Sequence, residues 1–260
     1  MIENANECYR FEEINYEESI LETIDVAYVI HLEGNGRLQN IKDQLNKFKP
    51  CKKCIIVYNK GFKNCNKSYL KKQSANYDLA DANIKVMEDA NSRNLNNVMV
   101  LEDDFFFDDN IINHKNNVDS FIKSKEDKNM IYFIGYIPGV VLPYDYYNFK
   151  ILMGGMTHCV IYNKKTYLEM LKNPPIFDID IYYLKYNCYM YYKPLCYQLF
   201  PETENSKNWS DFGILMGILK ILNMNKNHKP GYDIIYFFAK YIILITILII
   251  VMLLYVYLKK

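Results

Sequence analysis

A chain of 260 residues, half of them hydrophobic, is long enough for one large domain with a sizeable core or for two small ones. Its 31 basic residues nearly cancel its 30 acidic ones, so no overall field favours nucleic acid, which is excluded as an expected partner. The seven cysteines make an odd count, which suits a closed disulfide framework poorly. The N-terminus lacks an apolar signal region, so reduced thiols in a cytosolic setting are the expectation. "CKKC" at Cys51 and Cys54, with Cys65 further on, lacks a fourth zinc ligand at a familiar spacing.

In chain order, residues 1–24 read as an acidic leader. "VAYVIHL" (Val26–Leu32) is apolar and β-branched, which predicts a first buried strand, and "EGNGR" turns the chain after it. Leu38, Ile41, Leu45 and Phe48 recur at helical spacing up to Pro50, predicting an amphipathic helix. "CIIVYN" predicts a second strand, "YDLADANIKVMEDANSRN" a rougher helix, and "VMVLEDD" a third strand. Further strands are expected at "MIYFIGY" and "GGMTHCVIYN", with a short helix at "KTYLEMLKN" stopped by Pro174 and Pro175. Strands alternating with helices predict an α/β domain, over residues 25–210, with a parallel sheet and a site at the strands' C-terminal ends.

Residues 211–229 read as an amphipathic segment, either a last core helix or one lying in a membrane interface, with the interface preferred. Residues 234–258 carry one charge, Lys240, and predict a transmembrane helix. The expectation is a single-pass C-terminal anchor, the membrane as a partner, and a cytosolic domain whose sequons at Asn66 and Asn208 stay bare.

The stretch "VMVLEDDFFF" places Glu102, Asp103 and Asp104 directly behind a buried strand. Burying uncompensated carboxylates costs several kcal/mol each, so something positive is expected beside them. Strand alternation sends Glu102 and Asp104 to one side and Asp103 to the other. Two carboxylates so spaced form half of an oxygen-ligand site for a hard divalent cation, although acid pairs after a strand also serve as helix caps or solvated turns.

Three separated blocks give the chain a likeness to a known family: "YVIHL" followed by Arg37, then "VMVLEDDFFF", and then "GGMTHCVIYNKKTYLEML" with "PPIFDID" and "YYKPLCYQ". In order and spacing over residues 26–206 they resemble glycosyltransferase family 25, which includes lipopolysaccharide-biosynthesis and collagen galactosyltransferases. The resemblance implies a GT-A fold, a Rossmann-like domain binding a nucleotide sugar, with Mn²⁺ or Mg²⁺ as cofactor. It also implies transfer of a hexose, from UDP-galactose or UDP-glucose by family expectation, to a hydroxyl on a glycan or protein acceptor. Under it Asp104 contacts the metal, Glu102 the ribose or a metal-bound water, and Asp103 supports them. Arg37 reaches base or phosphate, or is a solvated arginine. His158 completes the metal shell or contacts the pyrophosphate, or is structural. Asp180 is the general-base candidate with Asp178 as its rival, and either can instead cap a helix beginning near Ile181.

The chain departs from the family pattern in three places. Ala82 and Asn83 stand where Ser-His is usual, His31 stands in place of an Asn, and the leading loop lacks a second Arg. A non-catalytic membrane scaffold on a transferase fold and a phosphodiester-cleaving metal enzyme are the competing readings.

Overall fold

A computed structural model describes residues 5–175, 177–198, 217, 221–224 and 227–258. After a short 3-10 helix (Ala5–Cys8), the strands are β1 (Tyr9–Asn15), β2 (Val26–Leu32), β3 (Lys53–Asn59), β4 (Asn97–Glu102), β5 (Phe105–Phe107), β6 (Ile131–Pro143), β7 (Asn148–Asn163), β8 (Cys188–Tyr191) and β9 (Cys196–Gln198). The helices are α1 (Leu38–Phe48), α2 (Ala75–Ser92), α3 (Ile111–Lys123), α4 (Lys164–Lys172), α5 (Ile179–Tyr183) and α6 (Gly231–Leu258).

Seven strands form one sheet in the order β1-β3-β2-β4-β7-β6-β8, and β5 pairs with β9 separately. The expected all-parallel sheet is corrected to a mixed one. β2 runs parallel to β3 and β4, but β7 is antiparallel to β4 and β6, and β1 is antiparallel to β3. The segment read as an acidic leader therefore supplies an edge strand. Phe11 of β1 packs on the core, while Glu12 reaches Tyr58 and Lys42.

Strand residues alternate between two cores, as burial on both faces requires. Val26, Tyr28, Ile30, Val98 and Val100 face a cluster with Val86, Met87 and Ala90 of α2 and with Tyr167, Tyr183 and Tyr236. Ala27, Val29, Met99 and Leu101 face Ile41, Leu45 and Phe48 of α1 and Val118, Phe121 and Ile122 of α3. The chain is thus layered helix–sheet–helix. Helix α1 ends where the spacing predicted, with Lys49 at φ 45° donating its N–H to the Leu45 carbonyl.

The C-terminal expectation is overturned. Among the described residues no helix is long and apolar enough to cross a membrane. The transmembrane anchor at 234–258, the membrane as partner and the single-pass localisation built on it are corrected accordingly. The first turns of α6 belong to the domain core instead. Tyr232, Tyr236 and Ala239 are buried, Tyr232 Oη exchanges hydrogen bonds with the Gln198 backbone, and Lys240 Nζ donates to the Tyr192 carbonyl 3.3 Å away. Beyond Lys240 the helix carries exposed apolar side chains, Leu248 and Leu253 among them. Most of the 211–229 segment and the Asn208 sequon lie outside the described residues.

Cysteine chemistry also differs from expectation. Cys8 and Cys65 form a disulfide, with Cα atoms 5.7 Å apart, and the other five cysteines are free and buried. The separation of 57 residues hid this pair from any local spacing rule.

Candidate functional site

Because β2, β3 and β4 are parallel, Leu32, Asn59 and Glu102 end at the same sheet edge. β7 arrives from the opposite direction. Its Cys159 pairs with Leu101, which sets Met156–His158 across from Glu102. The acidic motif therefore sits at the C-terminal end of a central strand, the usual ligand position of α/β sheets.

The three acids differ in their surroundings. Asp103 turns toward β2, where Oδ2 accepts from the Leu32 amide at 3.0 Å and from Asn35 Nδ2. Its Oδ1 accepts from Arg37 Nη1 at 2.5 Å, and His31 Nδ1 stands 3.5 Å from Oδ2. Burial alone would lift this carboxyl's pKa, but His31, Arg37 and the Leu32 amide together hold it below the usual range. Asp103 is a clamp that fixes the β2 turn.

Asp104 is the opposite case. Oδ2 lies 3.3 Å from Arg37 Nη1, while Oδ1 is buried with no hydrogen-bond partner. Burial, then the neighbouring Asp103, pushes its pKa up to about 7 despite Arg37. Glu102 is raised as well, by burial first and then by Asp104, Asp180 and Asp103, with Arg37 opposing. Arg37 is the positive group that the buried acids called for. One guanidinium against three carboxylates leaves the cluster short of positive charge. The carboxylates of residues 103 and 104 share Arg37 because the chain turns after Glu102, so strict strand alternation stops there.

The other candidates are placed as follows. Asp178 is the N-cap of α5, with Oδ1 accepting from the amides of Asp180 (3.0 Å) and Ile181 (3.3 Å). Asp180 lies closer to the acids. It accepts from the Met156 amide at 2.7 Å and the Thr157 amide at 3.1 Å, and burial raises its pKa. His158 is fully buried, with Nδ1 3.0 Å from the Met156 carbonyl and Nε2 3.0 Å from the Cys196 carbonyl. Each ring nitrogen thus faces a backbone carbonyl, and burial pushes the pKa down to about 4, so the neutral ring donates its single N–H to one of the two. That environment is structural and leaves no lone pair facing the acids.

Beside Glu102 lies a small cavity lined also by Asn83, Thr157, Ile179 and Tyr183, with room for about one water. Tyr183 Oη donates to Asn83 Oδ1 at 3.2 Å, and the buried Thr157 side chain stands beside Asp180. Sequence reasoning missed Asn35, Thr157 and Tyr183. Asn35 was legible as the middle of a Gly-Asn-Gly turn, whereas Thr157 and Tyr183 carry no local signal.

Among the described residues no group of three or more His, Cys, Asp or Glu side chains is arranged to hold a metal ion. A closed protein cage does not fit. Any ion held here would need an open site, in which one or two carboxylates meet it and water and substrate phosphates complete its shell. Glu102 and Asp104, whose Oδ1 has no hydrogen-bond partner, are the residues that would meet it.

No family model and no curated protein matches this chain. Among solved structures it is similar to the crystal structure of A197 from STIV, with 16% identity and a TM-score of 0.41. The likeness covers 64% of this chain and 80% of that one. At that level it bears on neither family nor chemistry.

Proposed function

We propose that this chain is a metal-dependent glycosyltransferase that moves a hexose from a nucleotide sugar to a hydroxyl on a glycan or protein. The observation that carries the reading is Asp104, whose buried, unpartnered Oδ1 and raised pKa sit beside Glu102 with one arginine for three acids. Retaining such a cluster destabilises the fold unless a cation and its ligand use it. The resemblance over residues 26–206 supplies the substrate class. Mn²⁺ or Mg²⁺, when bound, neutralises the charge that grows on the leaving diphosphate.

The protein's own groups divide the remaining work. Asp103 fixes the guanidinium of Arg37 at the sheet edge, where Arg37 orients an anionic donor. Glu102 and Asp104 would hold the metal through their carboxylate oxygens. Asp180, immobilised by two amides, is the group that receives the acceptor proton, since capping α5 engages Asp178.

A second reading has its own observation. Asp103 and Asp180 both bind backbone amides, as they would in a non-catalytic scaffold where the acids only clasp β2, β7 and α5 together. A thermal-shift panel of nucleotide sugars on the full chain, with and without Mn²⁺, separates the two. A transferase gains stability from at least one donor only when Mn²⁺ is present, and the gain disappears in Asp104→Asn. No donor-dependent shift under any metal condition refutes the transferase.

A further inference from the structure

At the same sheet edge, across β2 from the acidic motif, a second polar cluster is buried where the turn after β3 crosses the start of α2. Lys67 is 1% exposed, Asn59 3% and Asp78 5%. Lys67 Nζ donates to Asn59 Oδ1 at 2.9 Å, to Asp78 Oδ1 at 2.5 Å and to Tyr9 Oη. Asn59 Nδ2 donates to Asp78 Oδ2 at 3.0 Å, and Asn59 Oδ1 also accepts from the Gly61 amide at 2.9 Å. A carboxylate thus bridges an amine and a carboxamide, while a backbone N–H polarises the carboxamide carbonyl.

We propose that Lys67 and Asn59 join in an intramolecular isopeptide bond, with Asp78 carrying the protons. Each atom that the reaction needs has its counterpart. The Lys67 ammonium passes a proton to Asp78, and the freed Nζ lone pair attacks Asn59 Cγ, one bond beyond the oxygen it already contacts. The oxyanion that develops on Oδ1 stays on the Gly61 N–H, as in other acyl transfers. Asp78 relays a proton from Nζ to Nδ2, the Cγ–Nδ2 bond breaks, and an amide forms between Nζ and Cγ. The departing ammonia takes up the proton first given to Asp78 and leaves as ammonium, so Asp78 returns to a carboxylate. No oxidant, metal or second molecule takes part.

The surroundings hold the reactants together, which is where such a reaction gains most of its rate. Gly61, at φ +76°, turns the chain so that its N–H meets Asn59. A Cβ there would stand 2.8 Å from Leu32 Cδ1, so no other residue makes this turn without strain. The Cys8–Cys65 disulfide ties the Lys67 loop to the residue before Tyr9. Tyr9 in turn donates to Asp81 at 2.6 Å, which fixes the ring against Nζ. The product is an amide staple that reducing agents leave intact.

The test is the intact mass of the full chain, reduced and denatured. The expected mass is one ammonia below the sequence value. Protease mapping should recover a branched peptide joining Asn59 to Lys67, with cleavage after Lys67 blocked. Lys67→Arg and Asp78→Asn should each restore the sequence mass. Three results overturn the assignment: an unmodified wild-type mass, a loss of one water (which joins Lys67 to Asp78 instead), or a loss of ammonia that persists in Lys67→Arg (which marks a cyclised asparagine).

Discussion

Asp104→Asn tests the electrostatic reading of the acidic motif most directly. In the folded chain burial, then the neighbouring Asp103, pushes the Asp104 carboxyl up to about 7 from an ordinary 3.8. The folded state therefore binds the proton more tightly than the unfolded state. The stabilisation is full below about pH 4 and is lost as pH rises toward 7, leaving a constant penalty above that. Three units at about 1.36 kcal/mol each set a ceiling of roughly 4 kcal/mol. Interaction with Glu102 and Asp103 shares that figure among the acids, so about 2–4 kcal/mol is expected from removing this one charge. The amide keeps an oxygen for Arg37, so the variant should melt roughly 5–10 °C above the parent at pH 8. At pH 4 the two should coincide. Scanning calorimetry of the full chain from pH 4 to 8.5 gives the comparison, and Mn²⁺ with a nucleotide sugar should raise only the parent's melting temperature at pH 8. A variant that melts at or below the parent across this range refutes the claim that the shared Arg37 leaves the Asp104 charge incompletely compensated.

Further outcomes follow from other contacts. Asp180→Asn keeps one oxygen acceptor but turns its NH2 against either the Met156 or the Thr157 amide, and should cost about 1–3 kcal/mol in urea unfolding; unchanged stability would remove Asp180 from its role in holding α5. His158, lowered to about 4 from 6.5, favours the neutral folded state, so stability is complete above pH 6.5 and falls as pH drops toward 4. The loss should reach about 3 kcal/mol, and a His158→Gln melt that keeps the same acid slope would contradict this source. Under denaturing, non-reducing conditions five of the seven cysteines should react with a thiol reagent, and seven reactive thiols would contradict the Cys8–Cys65 bond. A chain ending at residue 229 lacks the buried Tyr232 and Tyr236, each worth about 3–5 kcal/mol to the core, and should fail to fold; a cooperative melt from it would show that α6 lies outside the cooperative unit.

Local chemistry settled much of this molecule from sequence. Val26–Leu32 became β2 over the predicted span, and Leu38–Phe48 became α1, because burial on both faces and 3.6-residue spacing are properties of consecutive residues. The same reasoning put Glu102 at a strand end and required a positive partner. Which cation answers, and which carboxylate oxygen is left without a partner, depended on chain segments brought from elsewhere. Arg37 comes from the turn after β2, and Asp180 is drawn in by amides of β7. Asp103 faces Leu32 because β2 and β4 are neighbours in the sheet, and no spacing within "LEDD" encodes that pairing. His158 was a ligand candidate, with core the commoner role for a lone histidine in an apolar strand, until the Cys196 carbonyl met its Nε2. An apolar run looks the same to sequence whether lipid or protein is to cover it, and the packing of Tyr232 and Tyr236 decided that the first turns of α6 lie in the protein. Sequence fixes what each segment needs to bury or satisfy, and tertiary contact alone chooses the partner that does it.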